Sequence, residues 1–454
     1  MTDSVLDVTA DALEQAGAHP HRLVVRQHGQ VVGRRRWAPW SPDVPSLVYS
    51  CSKTFTSAAV GIAVNRGAFG YDDTLADLWP QACTANTGPV AKSMTVRNAL
   101  SMSTGHSPEQ LLEPTLMSRR LPDLNTARIL LATEPEGRPG IDFAYNNLAT
   151  WMLSRLVAQH TGEDVDTIIT KEVLDPIGAG PHTWVRDADG IPMGFSGLHI
   201  DAEDLSLFGQ LLLDDGVHEG ARLLPEEWIR QHRVRQVNCD SETDPEWGMG
   251  YGWQTWMSSH GYRLDGAFGQ YVLIVPEVDA VITMTNEASE GPGDKQAILQ
   301  AVWDHLLPAL ADGFQPQPEE IVRTVTGEFD SARSVQGIAP DGSYIVVSPH
   351  KESRTWAMSW RCPGTFSHPT DETLDIAVGY EEWQTSHCRV GDDAIDIATS
   401  GGWQGETFVA RLCVISTPHT LTLRMTPEAT TTEWDNEPLN PGGLLGLVHP
   451  ELRR

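Results

Sequence analysis

A change of sequence pattern near residue 312 limits the fold of this chain more than any other feature. Before it, long segments carry apolar residues at helical spacing; after residue 320, only short β-rich stretches follow, separated by turn residues. Residues 313–320 read Gly-Phe-Gln-Pro-Gln-Pro-Glu-Glu, which is typical of a linker. With 454 residues, the chain also exceeds what one apolar core usually serves. We therefore expect a first domain over 1–312, a linker over 313–320, and an all-β accessory domain over 321–454 that forms a sandwich or a small barrel.

The first region is expected to form an α+β domain. Residues 22–32 alternate apolar and polar side chains about His28-Gly29, which predicts a β-hairpin. Strands at both ends of the region, with helices between them, imply that the two ends share one antiparallel sheet on which the helices pack. Asp201 is expected to cap one helix, and Pro308 is expected to end the last one. Further strands are predicted at 251–256, 261–265, 270–275 and 280–285, and helices at 50–66, 95–100, 147–159, 202–213 and 296–307.

The charge of the chain limits its partners. The formal net charge is −29, and a surface this acidic repels phosphate backbones and anionic lipids, so neither nucleic acid nor a membrane is expected as a partner. The sequence offers no apolar run long enough for a transmembrane helix, and its first residues lack the basic and apolar regions of a signal peptide. The six cysteines are scattered without a CxxC pair, which favours reduced thiols and a cytoplasmic location. The sequence leaves the oligomeric state open.

The strongest chemical motif is Tyr49-Ser50-Cys51-Ser52-Lys53, at the start of the predicted apolar helix. Ser50 and Lys53 are three residues apart and therefore share one helical face. A serine hydroxyl is a weak nucleophile without an adjacent base, and a partly desolvated lysine one turn away can lose its proton and act as that base. The start of a helix adds positive potential where an oxyanion forms. Ser50 is therefore the candidate nucleophile, and Lys53 its base.

A second Ser-x-x-Lys, from Ser348 to Lys351, means that the pattern alone does not decide. It lies in a β-rich stretch with no helix after it, which favours a surface turn. The sequence contains neither the GxSxG motif of other serine hydrolases nor the HExxH motif of zinc proteases. Its histidines show no ligand-like clustering, so no metal and no other cofactor is expected.

Tyr145-Asn146-Asn147 is the second motif, and it is the only Tyr-x-Asn in the chain. It lies just before the helix predicted at 147–159. A tyrosine near a lysine and a nascent oxyanion can have a lowered pKa and can pass a proton to the leaving group. The Asn147 amide has both a donor and an acceptor with which to hold an ester or an amide. Alone, the motif would also fit a turn followed by a helix cap.

The third motif is Leu264-Asp265-Gly266-Ala267, within the strand-rich region. A glycine on an edge strand lets a substrate backbone approach, so Asp265 and Gly266 are candidate substrate-binding residues. The amide of Ala267 can then pair with the amide of Ser50 as an oxyanion hole. An ordinary hairpin turn at Asp-Gly fits the same residues.

In this order, the three motifs resemble those of the serine β-lactamase and penicillin-binding-protein superfamily. The resemblance is closest to the branch that contains class C β-lactamases, carboxylesterases and D-aminopeptidases. It covers residues 20–310 or so, and the connecting segments 95–105 and 197–209 are also similar to this family. The resemblance implies an antiparallel sheet with a helical subdomain of the β-lactamase/transpeptidase type. Some relatives carry a lipocalin-like β-barrel after the catalytic domain, which the region 321–454 would match.

The resemblance also assigns roles. Ser50, Lys53 and Tyr145 carry over as nucleophile, base and second proton carrier, and Asn147 carries over as a substrate ligand. One position departs from the family pattern, because the third motif usually begins with a lysine or histidine that helps to bind a substrate carboxylate, and Leu264 stands there instead.

The loss of that cation weakens the case for penicillins or peptidyl-D-Ala-D-Ala as substrates. Strand alternation places Arg263 on the face opposite Leu264, whereas His260 shares the face of Leu264 and is a candidate substitute that binds the substrate.

The sequence therefore predicts a serine hydrolase that forms an acyl-enzyme on Ser50 from a small ester or amide, rather than a true β-lactamase. An acyltransferase or a peptide-cyclising thioesterase shares the first half-reaction and stays open as an alternative. A non-catalytic binding protein on the same scaffold is the third hypothesis. The retained Ser50, Lys53 and Tyr145 argue against it, and Leu264 argues mildly for it.

Overall fold

The computed structural model describes residues 5–41, 44–112, 122–291, 293–312, 319–321, 328–330, 332–350, 353–365, 367–440 and 442–451. The N-terminal region is built on a seven-stranded sheet in the order β12-β2-β1-β11-β10-β9-β8. The strands are β1 (His19–Gln27), β2 (Gln30–Trp37), β8 (Trp256–Ser258), β9 (Gly261–Gly266), β10 (Gln270–Val275), β11 (Ala280–Glu287) and β12 (Glu319–Ile321). Its short strands outside this sheet are β3 (Ser46–Leu47), β4 (Thr183–Trp184), β5 (Leu198–Ile200), β6 (Val217–His218) and β7 (Ala221–Arg222).

The pairing of β1 with β11 confirms the predicted sheet shared by both ends of the region. Val24 opposes Thr283 in an antiparallel register, although more than 250 residues separate the two strands in sequence. The predicted hairpin is also present, with β1 and β2 joined by His28 and Gly29, both at positive φ. The strand predicted at 251–256 is wrong, because Tyr251 makes only isolated bridges there and β8 begins at Trp256.

The helices of the region pack on the sheet and on one another. The helix Ser52–Asn65 is buried over nearly its whole length, from Ser52 to Ala63, so it lies inside the core rather than at the surface. Asp201 caps the helix Ala202–Leu213 by accepting a hydrogen bond from the Glu203 N–H, as predicted. The other helical segments are Val5–Gln15, Leu75–Leu78, Pro89–Ser93, Val96–Leu100, Leu124–Ala132, Asn147–Thr161, Val165–Ile169, Glu226–His232, Pro245–Gly248, Asp294–Ala301 and Leu307–Asp312, with wider π-turns at Thr170–Leu174 and Val302–Leu306.

Pro308 does not end the last helix of this region, contrary to the prediction from sequence. A wide π-turn, Val302–Leu306, comes just before the proline, and in it the Leu307 N–H donates to the Val302 carbonyl. The helical path therefore continues past Pro308. Pro308 then stands in the first turn of Leu307–Asp312, where a missing N–H leaves few hydrogen bonds unmade.

The C-terminal region is all β, as predicted. One sheet runs β13 (Val335–Ile338), β14 (Tyr344–His350), β15 (Thr355–Cys362) and β16 (Glu372–Val378). The other contains β17 (Gln384–Val390), β18 (Asp393–Gln404), β19 (Thr407–Val414), β20 (Thr420–Met425) and β21 (Thr430–Trp434), with β22 (His449–Pro450) paired to β18. Side chains from both sheets, such as Trp360 and Phe408, form one apolar core.

The seven-stranded sheet extends past the predicted end of the first domain. β12 pairs with β2 in parallel, so residues 319–321 belong to the N-terminal sheet. The predicted linker otherwise lies at 313–318, outside the described residues. The six cysteines are all free thiols, as expected. Within the described ranges, no helix is long and apolar enough to cross a bilayer.

Candidate active site

Ser50 lies in a single 3₁₀ turn, Tyr49–Cys51, that leads into the helix Ser52–Asn65. The turn is fixed on both sides by Ser52, whose Oγ donates to the Tyr49 carbonyl at 2.6 Å and accepts from the Leu198 N–H at 3.1 Å. The turn is also the start of a long buried helix, where backbone N–H groups lack carbonyl partners. The Ser50 side chain therefore lies in a fixed turn at the positively polarised N-terminus of this helix.

The Lys53 amine is in hydrogen-bond contact with the Ser50 hydroxyl. Its Nζ lies 2.8 Å from Ser50 Oγ and 2.8 Å from the Phe195 carbonyl oxygen. Only 1% of Lys53 is exposed, and this burial lowers the pKa of its ammonium well below the usual value, although the Asp265 charge acts in the opposite direction. A neutral amine can donate one hydrogen to Phe195 while its lone pair faces the Ser50 hydroxyl. The geometry suits proton removal from Ser50.

Tyr145 faces the same pair. Its ring lies under the Lys53 ammonium, 4.8 Å from Nζ to the ring centroid, and stacks on Trp256 at 6.0 Å. Burial raises the pKa of Tyr145, and its hydrogen bond with Ser50 offsets only part of that rise. The sequence argument that the pKa of this tyrosine is lowered is therefore wrong in sign. Tyr145 is a neutral hydroxyl at physiological pH, suited to give a proton rather than to start as the base.

The third motif reaches the nucleophile through its glycine. A Cβ at Gly266 would overlap the Val48 carbonyl oxygen, so this backbone touches the residues just before Ser50. The Cys51 thiol donates to the Gln270 carbonyl at 3.4 Å, which fixes the facing strand β10 against the same turn. Within the described part of the chain, neither the Ser50 nor the Ala267 backbone N–H has a hydrogen-bond acceptor. Both donors are therefore free to bind another group, and the oxyanion hole predicted from them stays a prediction.

Two side chains hold the turn that carries Ala267. The Glu290 carboxylate accepts the Phe268 N–H, and the Gln270 amide donates to the Ala267 and Phe268 carbonyls, each at 3.2 Å. Phe268 itself is in the left-handed region at φ 62°. The turn is therefore fixed by hydrogen bonds to its backbone, as a preorganised donor requires.

Leu264 and Asp265 are placed differently from substrate ligands. Leu264 is 1% exposed and packs in the core opposite Val272, so no cation stands at that position of the strand. Asp265 accepts from Arg263 Nε at 3.1 Å and from Lys295 Nζ at 2.8 Å. Both Arg263 and Asp265 are buried on the face opposite Leu264, as strand alternation predicts. Asp265 is thus engaged in an internal ion-pair network beside the site.

His260 is not brought to the site. It lies in the turn between β8 and β9, roughly 20 Å along the strand from Gly266 at ~3.3 Å per residue. Its Nδ1 pairs with Glu277 at 2.7 Å. The suggestion that His260 replaces the missing cation therefore conflicts with the geometry.

Asn147 does line the site. It is the first residue of the helix Asn147–Thr161, and it borders a cavity of about 100 Å³ at Ser50. Its Oδ1 is buried without a hydrogen-bond partner in the described part of the chain. An unpaired buried amide oxygen is costly, so this atom is available to a substrate N–H or O–H.

The C-terminal region also touches the nucleophile turn. The loop between β19 and β20 docks there, with the Leu47 N–H donating to the Ser416 carbonyl at 3.0 Å. The Tyr49 hydroxyl lies 2.6 Å from His419 Nε2, and both side chains are buried. The residue before Ser50 is therefore held by a side chain more than 350 positions away in sequence.

Sequence reasoning missed several of these groups because they act through long-range contacts. The Phe195 carbonyl, Glu290, Lys295 and His419 belong to no local motif around Ser50. Ser348 of the second Ser-x-x-Lys lies within strand β14, opposite Ala357 of β15, and Lys351 lies outside the described residues. No structural feature links that serine to the site.

One group of side chains in the described ranges could hold a metal ion. His19, Glu287 and Asp435 place ligand atoms within 4.8 Å of one another at the contact between the two regions. Asp435 already pairs with Arg411, which supplies positive charge to that cluster. None of these three residues borders the cavity at Ser50.

The comparisons with known proteins agree with this geometry. A family model described as Beta-lactamase matches residues 10–306. The esterase/beta-lactamase LipL of Mycobacterium tuberculosis is 29% identical over 165 residues, which cover 36% of this chain and 34% of LipL. The chain thus spans about a third of the length of that curated relative.

Two solved structures are similar in fold. A protein from Bacillus anthracis assigned as a 6-aminohexanoate-dimer hydrolase has a TM-score of 0.56 at 21% identity, covering 67% of this chain and 82% of its own. An octameric penicillin-binding protein homologue from Pyrococcus abyssi has a TM-score of 0.53 at 14% identity, covering 89% of this chain and 97% of its own. The second match extends well into the C-terminal region.

Proposed function

The chain belongs to the β-lactamase family, and from this premise we propose that it is a serine hydrolase that forms an acyl-enzyme on Ser50 from a small, neutral ester or amide. The observation that carries the proposal is the 2.8 Å contact between Lys53 Nζ and Ser50 Oγ in a buried site. Burial lowers the pKa of Lys53 well below its usual value and so increases the neutral fraction of the amine, which is the form that acts as a base.

The first half-reaction follows from these positions. Lys53 takes the proton of the Ser50 hydroxyl as Oγ attacks the substrate carbonyl carbon, and the carbonyl oxygen becomes an oxyanion facing the N–H groups of Ser50 and Ala267. Tyr145 gives its proton to the leaving alcohol or amine, and the Lys53 ammonium restores the proton of Tyr145. Ser50 then carries the acyl group, and every proton is accounted for.

The second half-reaction repeats these roles with water. Lys53, again neutral, takes a proton from the attacking water, and the tetrahedral intermediate collapses to release the acid. The Ser50 oxygen recovers its proton from Lys53 or Tyr145, which stand on either side of it. An alcohol or amine in place of water would give acyl transfer by the same steps.

The charge around Ser50 favours neutral substrates. Leu264 is buried in the core, Lys295 is paired with Asp265, and the described residues that line the cavity at Ser50 include no lysine or arginine to bind a substrate carboxylate. Penicillins and cephalosporins carry such a carboxylate. We therefore expect poor turnover of β-lactams relative to short aryl esters.

A substrate panel with matched variants tests the proposal. The intact protein is assayed with aryl esters, D-amino-acid amides and β-lactams, beside Ser50→Ala and the control Ser348→Ala. Ester hydrolysis is expected in the wild type and in Ser348→Ala and is expected to be lost in Ser50→Ala.

Activity that survives in Ser50→Ala would refute the mechanism, and β-lactams as the preferred substrates would refute the substrate assignment. Addition of an alcohol to the assay separates hydrolysis from transfer through the product formed. Absence of any turnover and of any Ser50 adduct would favour the non-catalytic binding protein.

A further inference from the structure

The cavity at Ser50 is lined in part by the C-terminal region of the chain. One wall comes from the N-terminal region, including Ser50, Asn147 and Met193. The C-terminal region contributes Leu439, Asn440, Gly446, Leu447 and Val448 to the lining. We call residues 439–440 and 442–448 the roof segment, and Leu439, Leu447 and Val448 are its apolar members at the cavity. A substrate group bound there contacts both regions of the molecule.

The roof segment is anchored in the C-terminal core. Leu444, Leu445 and Leu447 are each 3% exposed or less and pack in the core between the two sheets. At the end of the segment, His449 pairs with Ala394 of β18. Leu439 packs with Tyr49 and Phe268, which flank the two oxyanion-hole donors. The roof segment is therefore a packed part of the molecule that supplies part of the cavity lining.

The cavity is small and uncharged. Its volume of about 100 Å³ equals roughly three water-sized volumes of ~30 Å³ each, which is room for an acyl group of about two to four carbon atoms. None of the described residues that line it is an acid, a lysine or an arginine. Its histidine, His199, is neutral because burial lowers the pKa of that ring well below the usual value.

The position of Tyr145 tells which half of the substrate enters the cavity. In the proposed mechanism Tyr145 serves the leaving group; its ring packs on Trp256 and Tyr251, and none of these three residues lines the cavity. The group that stays on Ser50 after the first step must therefore point the other way, toward Asn147 and the roof segment.

We propose that the cavity is the acyl-binding pocket, that it selects short, uncharged acyl groups, and that the roof segment of the C-terminal region sets this limit. The inference rests on the proposed function, because it assigns the acyl group that Ser50 carries. Specificity would thus be set by residues about 390 positions after the nucleophile.

A chain-length series tests this inference on the intact protein. The values of kcat/KM are measured with p-nitrophenyl acetate, butanoate and octanoate. A mismatch of methylene groups in an apolar pocket costs ~10-fold or more, so a drop of at least ~10-fold is expected from butanoate to octanoate. The double variant Leu439→Ala/Val448→Ala enlarges the pocket and should raise the octanoate-to-acetate ratio by ~10-fold or more.

Two further variants keep the result interpretable. Val448→Phe fills the pocket and should lower the butanoate-to-acetate ratio by ~10-fold. Ile338→Ala removes an aliphatic side chain that is 66% exposed on the C-terminal region and should leave both ratios unchanged. If the double variant fails to fold, Val448→Phe gives the answer by itself.

The outcomes separate the inference from the proposed function. The role of the roof segment would be overturned if the wild-type protein hydrolysed octanoate with the same kcat/KM as butanoate. It would also be overturned if the pocket variants were active and their ratios equalled those of Ile338→Ala. The inference also requires that Ser50→Ala lose the hydrolysis of p-nitrophenyl acetate. Hydrolysis that does not depend on Ser50 would overturn the proposed function, and this inference with it.

Discussion

At the residue scale, the proposed mechanism depends on two opposite pKa shifts with one cause. Burial favours the neutral form of every ionisable group, so it lowers the pKa of Lys53 and raises that of Tyr145. The amine is thereby made a base, and the phenol is kept as a proton donor. The two groups lie against each other, with Lys53 Nζ 4.8 Å from the Tyr145 ring centroid. In the proposed mechanism, this difference in proton affinity favours transfer of the Ser50 proton through Lys53 and Tyr145 to the leaving group.

The lowered pKa of Lys53 predicts the pH dependence of the first step. The base must be neutral, so kcat/KM for an aryl ester should rise with pH through the lowered pKa of Lys53 and reach its plateau well below the pH at which an ordinary lysine, with a pKa of about 10.4, loses its proton. Tyr145→Phe should reduce the plateau by ~10²-fold and leave the position of the rise unchanged, because Lys53 remains in place. A rate that climbs in proportion to hydroxide up to the ordinary lysine pKa of about 10.4 would show that the pKa of Lys53 is not lowered. The profile is measured at saturating and limiting substrate from acidic to alkaline buffer.

At the element scale, two chain turns are brought together to form the site. The turn Tyr49–Cys51 presents the Ser50 N–H, and the turn after β9 presents the Ala267 N–H. Tyr49 is held in the left-handed region at φ 46°, a strained conformation of the kind that surrounding contacts must maintain at functional sites. The bond from Tyr49 to His419 is one such contact. The elements are therefore positioned by contacts at their backbones more than by the motif residues.

Gly266→Ala tests the close approach of these two turns. The added Cβ would overlap the Val48 carbonyl oxygen, so the Ala267 N–H must move away from Ser50. Loss of one oxyanion-hole donor costs about 10²-fold or more in kcat, and a drop of that size is expected. Gly248→Ala is the matched control, because a Cβ there meets nothing closer than 3.9 Å. Circular dichroism first checks that both variants are folded. Equal values of kcat in the two folded variants would then contradict the assignment of Ala267.

Local patterns predicted the parts of the site that lie on one element. The spacing of Ser50 and Lys53 places both on one helical face, and the 2.8 Å contact between them follows from that spacing. The cap at Asp201 and the hairpin at His28-Gly29 were predictable for the same reason, since each depends on neighbouring residues.

Long-range packing decided the rest. The sign of the Tyr145 pKa shift depends on burial among Trp256 and Tyr251, and no pattern near Tyr145 reports it. The passage of the helix through Pro308 depends on the wide turn before it. His419 contacts the turn before Ser50, and the roof segment lines the cavity at Ser50. Both belong to the C-terminal region, whose sequence predicts only short strands.

At the scale of the whole molecule, the contact between the two regions contains a buried acid. Glu287, at the end of β11, is 0% exposed, and its Oε1 accepts the Asn436 N–H at 3.1 Å. Burial, with a contribution from the Asp435 charge, raises the pKa of Glu287 to about 8. His419 and His19 also face this carboxyl, and burial lowers the pKa of His419 to about 4, so His419 is neutral over most of the relevant range.

The raised pKa of Glu287 predicts how stability changes with pH. The folded protein holds this proton more tightly than the unfolded chain, so the contribution is complete below the reference pKa of 4.5 and is lost as pH rises to about 8. Glu287→Gln removes the titration. The free energy of unfolding of the variant, relative to wild type, should therefore increase between about pH 5 and about pH 9.

Denaturant unfolding of intact protein across this range measures the difference. Glu433→Gln, whose side chain is 74% exposed on β21, is the control and should follow the wild type. A difference between Glu287→Gln and wild type that stays constant with pH would contradict the raised pKa.

The most direct test of the account is the mass of the protein during turnover. An aryl butanoate is mixed with the intact protein, the reaction is quenched in acid, and the intact mass and the proteolytic peptides are measured. The account predicts a gain of one butanoyl group in place of one hydrogen, located on Ser50 and lost in Ser50→Ala. No gain in a protein that hydrolyses the ester, or a gain located on Cys51 or Ser52, would contradict it.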